Sequence, residues 1–558
     1  MEIEDLRNEI SNQIREQQKN TPSPKAIEIV LKSLPLVKVD LSLILWQQIG
    51  QEKIEFDNEG KPLTTIYLII QADFEEIQVD DRLKCFMVLE NVKGNTLTIG
   101  DPSYGFHEKK INLDLHINGG EIANVKISIP LNRVTVNSTY CALFDITFLV
   151  PTQSIHKLYI RANIKKISFK FAQIDSAEIY NEGEKDSQNV IDLYLLQCEI
   201  PIFSYQTHHS LTLNCFRSTF SKRFFLLSKG NAGDTKIVHN RFGELIIKLE
   251  SQSAGIIVLN KNDIKMLNLS GQAERVITSM KGLELRDMSL SKDFIGKVEN
   301  LEIVDGIVMS QFINRGEMSF HAVDTQKCPL VIEDSILGKT LFVNCTIPES
   351  IRFSNSSIFE TQFFNSATPM IVESIDGLDP ATLTNNQSDA FRQLKIAANK
   401  EGNRELANYY RSKELTAHYK GTSFLKRPAE KISLFLNFSN NHGMSWLKPL
   451  MLIFIIIGPL MYGWFLSTLS YELDFSSSSS WSAAGQLWSH YLEFIIPGYL
   501  YPSKTKFIFL GEVLGLEDFD ISVLSLYSRC LIYLNDIVVM PYLIIQMITA
   551  FRRHVKSE

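Results

Sequence analysis

The 558-residue chain is short of several things, and each shortage excludes something. Cysteine is sparse: Cys85, Cys141, Cys198, Cys215, Cys328, Cys345 and Cys530 are odd in number, scattered, and never in a C-x-x-C spacing. A disulfide framework is therefore not the organising device, and reduced packing thiols in a cytosolic bulk are expected. A basic excess is missing too. The formal net charge is -7, and no basic patch is interleaved with aromatics, so no nucleic-acid partner is expected. The first residues, MEIEDLRNEISNQIREQQKN, lack the basic start and apolar core of a signal peptide.

Catalytic motifs are also absent. No G-x-x-x-x-G-K-[ST], G-x-S-x-G or H-E-x-x-H occurs. His208 and His209 fall near Cys198 and Cys215, but the spacing fits no zinc pattern. A carbohydrate-cleaving β-helix would need paired carboxylates in one groove, and reduced cytosolic thiols set it apart from extracellular polysaccharides. No catalytic residue, cofactor or metal is assigned, and an enzyme is not expected.

What is present begins with two long apolar runs. Leu450 to Leu469, LMLIFIIIGPLMYGWFLSTL, is uncharged and long enough to cross ~30 Å of hydrocarbon at ~1.5 Å per residue. Gly458 and Pro459 are compatible with a membrane helix, because neighbouring helices and local hydrogen-bond adjustments accommodate them. Cys530 to Phe551, CLIYLNDIVVMPYLIIQMITAF, is the second candidate, interrupted by Asn535 and Asp536. The rest, at 45% hydrophobic and 21% charged, reads as globular and longer than one ordinary domain.

In the first segment Ile3, Leu6, Ile10 and Ile14 recur at helical spacing, predicting a short amphipathic helix docked on the body. Thr21-Pro22-Ser23-Pro24 breaks it. Residues 26 to 46 mix helical and strand patterns around Pro35 and are undecided between a helical cap and an entry strand, so residues 1–63 are an N-terminal helical or entry segment. From about Thr64 to Phe364 short alternating runs such as Thr65 to Ile70, Lys157 to Ile160 and Glu244 to Ile247 follow one another, separated by Gly, Asn, Asp and Ser. Taking Leu249, Leu269, Leu285, Ile303 and Phe320 as equivalents gives steps of 20, 16, 18 and 17 residues. Such a step is what stacked solenoid coils require, and residues 64–380 are expected to form a degenerate parallel β-helix; a β-sandwich pair is the alternative. Five-residue steps appear from Ile336 to Leu341 and through Phe353, Ile358 and Phe363.

Beyond Asp379-Pro380, Ser388-Asp389 is placed to cap a helix carrying Phe391, Leu394 and Ala398. Glu401-Gly402-Asn403 makes a turn, and Leu406, Tyr409, Tyr410 and Leu415 continue on a second helix, so 386–421 is a helical hairpin and 422–448 a linker.

Residues 332–558 resemble one group of bacterial membrane proteins that carry pentapeptide-like repeats, a tetratricopeptide-like hairpin and a two-helix, ion-channel-like C-terminus. The resemblance rests on the five-residue apolar steps and on FRQLKIAANKEGNRELANYYRSKEL. It rests also on Gly443, Ser445, Lys448 and Pro449 before the first span and on Ala550-Phe551-Arg552-Arg553 at the end of the second. It implies a right-handed β-helix, pentapeptide-like at its end, and a membrane domain over 449–552 with a short basic tail at 553–558. Pore formation is likewise what the resemblance implies. No T-V-G-Y-G filter is present, so nothing indicates potassium selectivity.

The charges give a topology. Lys426, Arg427, Lys431 and Lys448 precede the first span, and Arg552, Arg553 and Lys556 follow the second. The positive-inside rule then places both termini in the cytosol, in the inner membrane, with spans at 450–469 and 530–551. Trp481 to Tyr501 is apolar yet carries His490, Glu493 and Pro497; a full crossing there would put the Arg-Arg end outside, so a re-entrant or interfacial segment is expected. A lone charge at Asp536 costs on the order of 3 kcal/mol in a membrane, so Asp536 should face a partner or water. Asp536, Asn535, His490 and Glu493 are the pore-lining or helix-contact candidates; the alternatives are a neutral Asp536 hydrogen-bonded to Asn535 or Tyr533, and a solvated interfacial face for His490 and Glu493. The bilayer, a second copy of the chain, and a protein or small ligand on the solenoid are the expected partners. A solenoid sensor coupled to a pore is the leading expectation, a membrane-anchored scaffold without conduction the second, and a membrane-attached enzyme the third.

Overall fold

The computed structural model describes residues 2–20, 26–35, 38–51, 65–79, 85–99, 114–128, 131, 133–147, 154–181, 190–230, 232–250, 253–271, 278–325, 329–366, 368–373, 380–468, 478–495 and 524–555. They fall into two compact units, Met1–Glu373 and Ser374–Glu558.

The first unit is a β-solenoid. Most strands pair in parallel not with their sequence neighbour but with the next but one: β1 (Ala26–Leu31) with β3 (Thr65–Ile70), and β2 (Lys38–Asp40) with β4 (Phe74–Val79). One coil thus contributes to each of two ladders up to the last strand, Ile371–Glu373, and the long strands Arg133–Thr147, Ser154–Lys170 and Thr278–Leu290 also pair with a sequence neighbour. Alternation supplies the core. In Ser210–Phe216 the residues Leu211, Leu213 and Cys215 point inward while their neighbours do not. The parallel ladders rule out the antiparallel β-sandwich alternative.

Register corrects the repeat length. Phe220 pairs with Phe242 and Phe242 with Ile264, a coil of 22 residues at both steps. The shorter steps expected from Leu249, Leu269, Leu285, Ile303 and Phe320 arise because that series crosses between ladders: Leu269 pairs with Val298, while Leu285 pairs with Met309. Near the C-terminal end the five-residue period is real but one position out of phase at its start. Ile332, Leu337, Phe342 and Ile347 are buried, whereas Ile336 is 46% exposed. Phe353, Ile358 and Phe363 are inward as expected. Phe320, Phe342 and Phe363 stack from coil to coil with ring centroids 4.7 and 5.2 Å apart.

One corner shows why the coils accept polar residues inside. Gln197, Arg217, His239 and Lys261 have left-handed backbone with φ between 51° and 58°. This conformation costs a non-glycine residue ~1–2 kcal/mol, partly offset because each N–H continues the ladder to the next coil. Gln197 donates to the Phe216 carbonyl at 2.9 Å and His239 to that of Asn260 at 3.0 Å. The following residue turns into the core, forming the column Cys198, Ser218, Asn240, Asn262. Ser218 Oγ accepts from the Cys198 N–H at 3.1 Å, Asn240 Oδ1 from the Ser218 N–H at 2.7 Å, and Asn262 Oδ1 from the Asn240 N–H at 2.8 Å.

The ladder begins at Ala26, earlier than the Thr64 boundary expected, with α2 (Leu41–Gln51) inserted after β2. Helix α1 (Ile3–Asn20) lies beside β1 and buries Leu6, Ile10 and Ile14, as their spacing predicted. It also closes the open strand edge. Gln13 bridges the Val30 N–H and carbonyl, and Gln17 one turn later does the same for Glu28. An unpaired edge is a template for association, so two glutamines at helical spacing cap the solenoid.

In the second unit, α3 (Pro380–Lys400) and α4 (Arg404–Gly421) form the expected hairpin. Asn403 caps α4 by accepting from the Leu406 N–H at 3.1 Å, and Gly402 supplies φ +79° at the turn. The start of α3 differs from expectation. It opens at Pro380, whose missing N–H costs nothing in a first turn, so Ser388 and Asp389 lie inside the helix, where Asp389 pairs with Arg392 at 3.3 Å. Residues 422–448 are not a plain linker either: α5 (Pro428–Asn437) and a 3-10 turn at Phe438–Gly443 occupy them. Among the described residues two helices are long and apolar enough to cross a membrane, Leu447–Thr468 and Leu526–Arg553, each starting before the run expected from hydropathy. Ser525 caps the second by accepting from the Ser528 N–H at 3.1 Å.

Candidate functional site

Both long helices are interrupted in the same way. Six residues of π-helix, Leu452–Ile457 in the first and Leu534–Val539 in the second, each end two residues before a proline, Pro459 and Pro541. Proline has no N–H, and its ring collides with the carbonyl four residues earlier, here Ile455 and Ile537. Widening to π geometry moves that carbonyl aside but leaves the local hydrogen-bond ladder incomplete. The vacated polar groups need partners from outside the helix.

A five-residue helix, Tyr491–Ile495, supplies one at the first interruption and accepts a side-chain bond from the second. The Tyr491 hydroxyl donates to the Ile453 carbonyl at 2.9 Å and stands 3.1 Å from that of Phe454. Gly458 makes this approach possible, because a Cβ there would overlap both the Tyr491 Oη and the Ile453 oxygen. On the other side Asn535 Nδ2 donates to the Phe494 carbonyl at 3.0 Å. The short helix is thus held at one end by each interrupted helix. Its Phe494 and Ile495 join a buried cluster with Ile453, Phe465, Leu531 and Met540. Phe494 lies 5.2 Å from Phe465 and 5.1 Å from Tyr462.

Two of the four expected site residues are central to this arrangement. Asn535 is fully buried, Asp536 half-buried, and Asn535 Nδ2 also reaches Asp536 Oδ1 at 3.0 Å. Asn535 Oδ1 is buried without a hydrogen-bond partner among the described residues. His490 sits at the turn before the short helix, its carbonyl accepting from the Phe494 N–H at 3.2 Å. Glu493 lies on the helix backbone, and its side chain is outside the described residues. Of the expected re-entrant stretch, residues 496–501 are likewise outside them. Tyr491, Phe494 and Gly458 were missed. The available signal was the pair of prolines at matching positions in two apolar runs.

A second polar cluster joins the two segments that carried the resemblance. Asn441, His442 and Gly443 are successive left-handed residues with φ 51°, 56° and 93°. A Cβ at Gly443 would overlap the Arg553 guanidinium, which donates to the His442 carbonyl at 3.1 Å. Asn440 bonds Gln546, and Ser412 of α4 donates to the Asn441 carbonyl at 3.1 Å. The turn before the first long helix is therefore tied to the end of the second and to the hairpin. His442 is buried, both ring nitrogens lack partners among the described residues, and burial with Lys448 nearby holds its pKa below the ordinary imidazole value.

In the first unit His208 and His209 occupy a corner, where the His209 N–H donates to Thr207 Oγ1 at 3.0 Å. Cys198 and Cys215 are buried core thiols. Burial pushes Cys198 up to about 11 and Cys215 well above its ordinary value, so neither is a ready thiolate. Comparison with protein-family models, curated proteins and solved structures finds no match.

Proposed function

We propose that the chain is a membrane protein in which a cytosolic β-solenoid, as sensor or scaffold, is coupled through the α3–α4 hairpin to an ion-conducting, homo-oligomeric pore. The two long helices cross the inner membrane, both termini face the cytosol, and the segment containing Tyr491–Ile495 returns to its own side. The coils wind to the right, as in pentapeptide-like proteins. The observation that carries this reading is the polar pair Asn535–Asp536 within an apolar helix, beside a short helix gripped by both spans. A charge in such a place must face water or a partner, and the spans present most of their surface outward, where lipid and further copies would lie. Gating then requires a solenoid ligand that favours one conformation by several kcal/mol.

The scaffold reading has one observation in its favour: Asn535 Nδ2 is already committed to a structural bond with the Phe494 carbonyl. Planar-bilayer recording of the purified full-length protein separates the two. Single-channel steps whose conductance or ion preference changes in Asp536→Asn support the pore. A well-inserted but silent oligomer supports the scaffold.

A further inference from the structure

Helix α5 buries Leu434 but, with the turn before it, presents its other large apolar side chains outward, the reverse of a helix facing water. Ile432, Phe435 and Leu436, at i, i+3 and i+4, are 48%, 61% and 42% exposed, and at the tip of the preceding turn Phe424 and Leu425 are 58% and 92% exposed. The polar side chains point the other way. Glu430 accepts from His418 at 2.8 Å and Arg427 at 3.4 Å, and these partners hold its carboxyl below the usual range. Lys431 donates to the Tyr419 carbonyl and lies 3.7 Å from the centre of that ring. The acid is thereby fixed and neutralised against α4, while Lys426 and Arg427 stand at the rim of the apolar tip, both exposed.

We propose that this surface docks on the anionic lipid headgroups of the membrane that the adjoining helix enters. The inference rests on the reading of Leu447–Thr468 as a span, which begins ten residues after α5 ends and so puts lipid within reach. Residues 424–448 carry four basic residues and one acid, the charge that an anionic leaflet attracts. A second copy of the chain fits less well. The apolar strip of one ten-residue helix is small beside the ~800 Å² per partner of a stable interface.

The test uses the full chain with Cys530→Ser, reconstituted in vesicles of phosphatidylcholine and phosphatidylglycerol with brominated acyl chains. An environment-sensitive thiol probe is placed through Leu425→Cys in one preparation and Ile455→Cys in another, and the Cys530→Ser protein alone is the labelling blank. We expect quenching at both positions, and a several-fold loss of quenching at 425 alone when phosphatidylglycerol is omitted or Lys426→Glu and Arg427→Glu are added. Quenching at 455 without quenching at 425 overturns the docking surface and leaves the span intact, whether water or a second copy covers the face. Quenching at 425 that ignores both lipid charge and the two substitutions overturns the headgroup assignment. Quenching at neither position overturns the span reading itself.

Discussion

In the β-solenoid the buried Asn240 finds partners one coil away, in Ser218 and Asn262, whereas in the helical unit the buried Asn535 has, beyond its neighbour Asp536, one carbonyl from a five-residue helix. Both answer the demand that a buried main-chain group be paired. In the solenoid the answer is periodic, so each coil satisfies the next by the same geometry. In the helical unit it is made once, where two prolines have broken the helical ladder and Tyr491 and Asn535 reach across. A periodic solution contains damage near where it occurs. A single solution spreads damage to everything it holds, and substitutions can break or sharpen that contrast.

The largest effect is expected from Ile358→Asp, which puts a carboxylate into the apolar column of the last coils. Burial of an unpaired charge costs several kcal/mol, so the group protonates or the coil opens. Hydrogen exchange should show lost protection around residues 350–364 with coils before residue 250 unchanged. Loss of protection throughout the solenoid would break the comparison.

Next comes Gly458→Ala, in which the added methyl displaces the Tyr491 hydroxyl. About 3 kcal/mol of destabilisation is expected, at the upper end for overpacking, with a lower melting temperature in detergent and loosening of both long helices. Gly463→Ala is the control, since nothing lies within 4 Å of that position; it should be neutral or stabilise by up to ~1 kcal/mol. Equal melting temperatures for the two variants would remove the clasp from the account. Asn240→Leu, of similar size, leaves the Ser218 N–H and the Cys215 carbonyl without their partners. A cost of about 2 kcal/mol is expected, read as a new protease-sensitive site at that corner and nowhere else.

The smallest effect concerns pH. His442 is held below the ordinary imidazole pKa, so the unfolded chain binds the proton more readily than the folded one. Its contribution is complete above the unfolded value near 6.5 and is lost as pH falls from there through the lowered folded value. His442→Asn, which tolerates the left-handed backbone, should flatten the stability profile of the helical unit below neutrality. An unchanged slope would mean that the imidazole does not titrate against folding.

Alternation and turn residues made the solenoid legible from sequence, and two apolar runs made the long helices legible. The coil length was not, because in a two-ladder solenoid successive strands look alike and Leu269 and Leu285 carry no mark of belonging to different ladders. Phase was also ambiguous at Ile336 and Leu337, adjacent apolar residues of which only the second is buried. In the candidate site Asn535 and Asp536 stood out because polar residues in an apolar run demand partners. Tyr491 did not, since an aromatic in an aromatic segment signals packing, and its role depends on the Ile453 carbonyl, 38 residues earlier in a π-helical turn.

In the proposed topology two helices cross the membrane while the segment holding Tyr491–Ile495 returns to the side it came from. Reporter fusions at Lys420 and Glu558 in the full chain read this out. Both reporters are expected on the cytosolic side; reporters on opposite sides would mean that the intervening segment crosses completely, and would contradict the proposed topology.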